Sequence, residues 1–118
     1  MNLLDRTQLL KPRQLKREKV PLPEWGGDVW VRTMTGAERD DYEQEYLDAK
    51  KKAGDRVPNL RARLLVRTVC DEQGKPLLSQ NDVDELGQQS ADVLSKLFTV
   101  ASQLNGLSKS DAEELEKN

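Results

Sequence analysis

Residues 21–40 constrain the fold of this 118-residue chain more than any other part of it. Gly26 and Gly27 suit a two-residue hairpin turn, because both central positions of the favoured turns require positive φ, which glycine adopts without a steric penalty. Residues 16–24 are expected to run extended before this turn and residues 29–33 after it. This first extended segment contains Pro21 and Pro23, which are expected either on an edge strand or at the end of one. The stretch therefore predicts a small β-hairpin.

Helix signals follow the hairpin along most of the remaining chain. Thr35 and Glu38 have the spacing of a capping box, in which each side chain bonds the other residue's backbone N–H. Because the run from Leu64 to Cys70 is rich in β-branched residues, a strand there stays an alternative to helix. Apolar residues at three-four spacing predict one packed helix face formed by Leu94, Leu97, Phe98, Ala101 and Leu104. Helices are expected at about residues 36–53, 58–70, 80–86, 91–105 and 109–117.

These elements predict a mainly α fold with four to five helices and a small N-terminal β-hairpin, or an α+β fold if the hairpin is counted. The length suits a single domain, which we expect over residues 16–118. Residues 1–15 are expected to form a basic, partly mobile N-terminal arm. The basic residues that crowd between Lys11 and Lys19 predict either a solvated segment or an arm that docks on an acidic partner.

Several residue types that carry catalysis are missing or isolated. The chain has no histidine, which removes the commonest general base and the commonest metal ligand. Cys70 therefore has no histidine to activate it, and its place on an apolar face indicates a core residue. The acidic run from Asn81 to Gly87 lacks the alternating ligands of a calcium loop. The sequence predicts a protein that is not an enzyme and that uses no metal or cofactor.

Charge and hydropathy argue against two classes of partner. The chain has 19 basic and 21 acidic residues, a net charge of −2, which gives no general attraction to a nucleic-acid backbone. No window approaches the roughly 18 consecutive apolar residues that a membrane-spanning helix requires. A single cysteine and the lack of an apolar N-terminal run are typical of a cytosolic protein. We therefore expect neither nucleic-acid nor membrane binding.

Both tryptophans lie in or next to the predicted hairpin. On an extended strand, Trp30 points to the side opposite Val29 and Val31, so an inward-packed valine face leaves Trp30 on the outward face. Trp25 and Trp30 are therefore candidate protein-binding residues, and burial of both in the core is the alternative.

Three blocks of sequence resemble a known family. They are PEWGGDVWVRTMTGAERD at residues 23–40, LLVRTVCDEQGKPL at residues 64–77 and LFTVASQLNGLS at residues 97–108. Their order and spacing are similar to those of the tail assembly chaperones of long-tailed, siphovirus-type bacteriophages, in particular phages similar to HK97. The resemblance extends from about Lys19 to the C-terminus.

The resemblance implies a mostly helical protein that acts in the host cell cytoplasm and is absent from the mature virion. It implies that the protein binds the long tape measure protein, keeps it soluble, helps to recruit tail tube protein and self-associates. It also implies a longer form, made by a programmed frameshift near the stop codon, whose C-terminal extension contacts tail tube protein. The codons of residues 116–118 are the expected place for an A-rich slippery run.

The residues and the resemblance together suggest how such a protein works. Several copies would lay apolar stripes against one long helical target, so that avidity replaces tight single contacts. Trp25 and Trp30 are then expected at subunit contacts, and Leu107 and Leu115 at partner contacts. Two other hypotheses stay open. One is a small phage nucleic-acid-binding regulator that uses the basic arm, and the other is a structural tail connector that stays in the particle.

Overall fold

The computed structural model describes residues 2–107 of the chain. Within this range, five α-helices accompany one three-stranded antiparallel sheet, which confirms a mainly α fold with an N-terminal hairpin. In chain order the elements are α1 (Arg6–Leu10), β1 (Arg17–Leu22), β2 (Gly27–Arg32), α2 (Gly36–Lys52), α3 (Leu60–Thr68), β3 (Val69–Cys70), α4 (Val83–Gly87) and α5 (Ala91–Leu104). The helix expected at residues 109–117 lies outside the described residues.

The hairpin turn is longer than the sequence predicts. Leu22 pairs with Gly27, so four residues separate the strands. Pro23–Trp25 form a short 3-10 turn, because proline sets the helical φ at its first position. Gly26 closes the turn at φ 74°, and its N–H donates to the Pro23 carbonyl at 3.2 Å. The predicted two-residue turn is therefore wrong, and positive φ is needed at Gly26 while Gly27 begins β2.

The position of β1 explains how its prolines are accommodated. The strand order β1-β2-β3 leaves β1 at an edge, as expected. The Thr33 N–H donates to the Lys16 carbonyl at 2.9 Å, and alternation along an antiparallel ladder then turns the backbone of Pro21 away from β2. Its missing N–H therefore removes no ladder hydrogen bond. Its carbonyl instead accepts from Lys96 Nζ at 2.6 Å, which ties the edge strand to α5.

The third strand was expected to be the end of a helix. Helix α3 ends at Thr68, and Val69–Cys70 turn into an extended segment that pairs with Val31 and Trp30 of β2. Helical periodicity does not reveal this change, because Val69 and Cys70 are apolar and continue the apolar face of α3 in the sequence, and both are buried in the strand. The strand alternative is correct for these two residues only.

The core lies between the inner face of the sheet and helices α2, α3 and α5. The expected face of α5 is confirmed, with Leu94, Leu97, Phe98 and Ala101 buried and Leu104 partly buried. Other contributors to this core from the strands and helices are Val20, Leu22, Val31, Tyr42, Leu60, Leu64, Leu65 and Val69.

Helix α1 lies in the segment for which the sequence predicts a basic, partly mobile arm. Asp5 accepts a hydrogen bond from the Gln8 N–H, and the Gln8 side chain accepts one from the Asp5 N–H, both at 2.9 Å. This capping box stabilises a single turn, but none of the helix residues is buried. Five residues are too few for helical periodicity to show in the sequence.

Candidate protein-binding surfaces

Trp25 lies at the tip of the hairpin. Its place at the end of the 3-10 turn points it away from the core, and 46% of its surface is exposed. A large apolar ring in this position is typical of residues that fill a pocket on a partner.

Trp30 lies on the outer face of the sheet, because Val31 and Val29 turn towards the core. The side chains of Arg17 and Lys19 on β1 cover its ring, with their charged groups 5.1 and 5.6 Å from the ring centroid. Trp30 is half-buried as a result. It presents a partly covered cation–π surface, whereas Trp25 presents an open ring.

A partly buried ion pair joins the end of the hairpin to the start of α2. Arg32 is 3% exposed, and its two terminal nitrogens donate to the two carboxylate oxygens of Glu38 at 2.9 and 2.7 Å. Glu38 also completes the capping box by accepting from the Thr35 N–H at 2.9 Å. The hydrogen bonds from Arg32 lower the pKa of Glu38 to about 2, and the bond to Glu38 raises the pKa of Arg32.

Asn105 joins the same junction to the end of α5. Its Oδ1 accepts from the Met34 N–H at 2.6 Å, and its Nδ2 donates to the carbonyls of Ala101 at 2.8 Å and Arg32 at 3.3 Å. Arg39 donates to the Asn105 carbonyl at 3.1 Å. The hairpin is therefore held by the helical body, so that it presents Trp25 from a fixed base.

Glu45 links α2 to α3 and to the segment before α4. Its carboxylate accepts from Arg63 at 2.7 Å, from Gln80 at 2.7 Å and from Arg67. Burial acts to raise the pKa of Glu45, but the hydrogen bonds from Gln80, Arg63 and Arg67 outweigh it and hold the pKa low. Because the carboxylate is satisfied internally, we assign this cluster to the packing of α2.

Leu107 closes the C-terminal end of α5. Gly106 adopts a left-handed conformation at φ 69°, and the Leu107 N–H donates to the Ser102 carbonyl at 2.9 Å. The Leu107 side chain packs partly buried against the core, as in a Schellman cap. The Leu107 side chain therefore packs largely against its own chain. Leu115, the other leucine expected at a partner contact, lies outside the described residues.

The structure reveals an apolar surface that the sequence analysis missed. Leu3, Leu4, Leu9 and Leu10 lie in or beside α1 and expose between 58 and 96% of their surfaces. We call these four residues the arm leucines. The signal in the sequence is the two Leu-Leu pairs, which stand next to the basic residues of the arm.

The described residues show little that supports catalysis. Cys70 is buried, and that burial raises the pKa of its thiol, which disfavours the nucleophilic thiolate. Between residues 2 and 107, no group of three or more acidic or cysteine side chains is placed to hold a metal ion. In the same range, no helix combines the length and apolar character that crossing a membrane demands.

Exposed apolar side chains on a hairpin tip and on an arm, as Trp25 and the arm leucines show here, are features typical of proteins that bind other proteins. Comparison with family models identifies the family to which the chain belongs. The chain belongs to the phage tail assembly chaperone family, whose model matches residues 6–118.

A solved structure supports the fold. The chain is similar to the tail assembly chaperone of bacteriophage HK97, with a TM-score of 0.59 and 22% identity over 86% of this chain and 91% of that chain. At this identity the likeness shows the fold alone. Comparison with curated proteins gives no match.

Proposed function

We propose that this tail assembly chaperone binds the tape measure protein and keeps it soluble until the tail tube forms around it. The observation that carries the proposal is the family match over residues 6–118. The exposed Trp25 and arm leucines supply apolar contact area on an otherwise hydrophilic chain, whose mean hydropathy is −0.80.

Physical chemistry favours a multimeric, non-enzymatic mode of action. Each copy offers only a few apolar side chains, too little for a tight contact with a single site on a target. Several copies along one long helical target would add their weak contacts through a high effective concentration. The protein therefore acts stoichiometrically and self-associates on its target, and the burial of Cys70 agrees with a role that requires no nucleophile.

Tail tube protein is the second proposed partner. It is recruited chiefly by a longer form with a C-terminal extension, made by a programmed frameshift. We place the protein in the host cell cytoplasm during assembly and outside the finished virion. Mass spectrometry of purified virions tests this placement, because a chaperone is absent from them and a structural connector is present at a fixed copy number.

Co-expression with the tape measure protein of the same phage tests the main proposal. We expect the soluble fraction of the tape measure protein to rise strongly when the wild-type chain is present. The variant Trp25→Ser should solubilise less, since it removes an exposed ring without opening the core. Leu77→Ser is the matched control, because Leu77 is also an exposed apolar residue but belongs to neither the hairpin turn nor the arm, and it follows the bridge between Pro76 and Cys70. A tape measure protein that precipitates equally with and without the wild-type chain would refute the proposal.

A further inference from the structure

The arm leucines have no cover within the described chain. Leu9 and Leu10 on α1 expose 62 and 64% of their surfaces, yet the helix that carries them is fully capped at its start. A formed helical turn that leaves its leucines in water is unfavourable, because burial of each side chain would contribute substantially. This arrangement indicates a segment that is shaped for a surface on another molecule.

We propose that the N-terminal arm, residues 2–16, docks on the outer face of α2 in a second copy of this chain. This inference rests on the self-association in the proposed function and names the surfaces that would produce it. The two surfaces differ from each other, so the contact is heterologous, a kind that can add further copies.

The outer face of α2 has an exposed leucine with acidic residues before and beside it, and the exposed basic residue Lys51 lies one turn further on. Asp40, Glu43 and Leu47 follow one another at spacings of three and four residues, so they share one face of the helix. This face lies opposite Tyr42, which is buried in the core. Leu47 is 51% exposed, and Asp48 adds a further exposed carboxylate beside it.

The charges of the two surfaces are complementary. The arm has four basic residues and one acidic residue between positions 2 and 16, and Lys11 and Lys16 are exposed. Asp40 and Asp48 on the outer face of α2 are exposed as well. Such an arrangement steers the arm towards α2 and disfavours arm–arm and α2–α2 pairing, in which like charges meet.

The same exposures show that the arm does not cover α2 of its own chain. If it did, Leu47 and the arm leucines would shield one another, whereas all are more than half exposed. Both halves of the contact are therefore open on one molecule. A second copy is the occupant that supplies both complementary halves without any further protein.

Two charge-reversed chains test the contact by sedimentation velocity over a range of concentrations. One has Lys11→Glu and Lys16→Glu in the arm, and the other has Asp40→Lys and Asp48→Lys on α2. Each alone places like charges at the contact, so we expect self-association to weaken about tenfold or more relative to wild type. An equal mixture should associate again, because each arm then meets an α2 face of opposite charge.

Serine variants test the apolar part of the contact. Leu9→Ser with Leu10→Ser should weaken association, and so should Leu47→Ser. Leu77→Ser is the matched control and should associate as wild type does, because Leu77 is 57% exposed but lies on neither surface. Since all these side chains are exposed, the variants should retain their circular dichroism spectra.

The proposal is overturned if the wild-type chain is monomeric at all concentrations, if the single variants associate as wild type does, or if the mixture of folded variants fails to associate. Solubility of co-expressed tape measure protein is scored separately. Wild-type association with no effect on that solubility would refute the proposed function and leave the arm contact standing. If the wild-type chain solubilises the tape measure protein but the arm and α2 variants associate as wild type does, the arm contact is refuted and the proposed function stands.

Discussion

Replacing Glu38 by glutamine tests whether the ion pair at the base of the hairpin stabilises the fold. Glutamine can still reach back to the Thr35 N–H, so the capping box is retained. The variant removes the negative charge and one of the two oxygens that accept from Arg32. It therefore leaves a guanidinium that is 3% exposed without a countercharge.

The structure gives the size of the effect. The pKa of the Glu38 carboxyl group is lowered from its ordinary value of 4.5 to about 2 in the folded chain. That difference corresponds to about 3 kcal/mol of unfolding free energy at pH 7. Glu38 is 31% exposed, so solvent screening reduces the expected loss to about 2 kcal/mol. Because the folded pKa is the lower one, this stabilisation is complete above about pH 4.5 and is lost as the pH falls towards 2.

Urea unfolding followed by tryptophan fluorescence measures this effect at pH 7 and at pH 3. We expect the difference between wild type and Glu38→Gln to shrink by roughly half between the two pH values. Adding Arg32→Met to the variant should recover stability, since the unpaired charge is removed. Glu72→Gln in the exposed turn after β3 is the control and should change little. A loss below about 0.5 kcal/mol at pH 7, or a loss that does not depend on pH, would refute the reasoning.

Three further predictions concern other parts of the fold. Asn105→Ala leaves the Met34 N–H without its acceptor and should lower the unfolding free energy by about 1–3 kcal/mol in the same urea assay. Leu64→Ala opens a cavity at a fully buried position and should cost about 3 kcal/mol, measured by urea or thermal unfolding. The Cys70 thiol should react with a thiol reagent at pH 8 only after urea is added, because it is buried and its pKa is raised; rapid reaction of the folded chain would contradict that burial.

The sequence predicts those elements whose signal is local. The capping box from Thr35 to Glu38 and the packed face of α5 depend on residues that are near one another in the chain, and both are confirmed. The position of Pro21 on an edge strand is also confirmed, because proline restricts any strand that contains it. In each case a short-range physical rule is sufficient.

Other features depend on contacts that the sequence pattern does not encode. The side chain of Asn105 accepts a hydrogen bond from the backbone N–H of Met34, 71 positions earlier in the chain. The change from helix to strand at Val69 depends on pairing with β2.

The candidate binding residues also divide into features that local sequence patterns predict and features that depend on long-range contacts. Alternation along the strand placed Trp30 on the outer face, but the cover provided by Arg17 and Lys19 depends on the register of β1 against β2. The arm leucines are exposed because no part of the core packs against them. The sequence of the arm alone does not predict whether such a contact exists. Whether Trp25 and Trp30 contact another subunit stays a prediction.

The mass of the purified complex tests the central claim most directly. The chain would be co-expressed with segments of the tape measure protein of increasing length. The molar mass of each complex would then be measured by light scattering after gel filtration. The account predicts several copies of this chain per segment, in a number that rises with the length of the segment. One copy per segment at every length, or no complex at all, would contradict it.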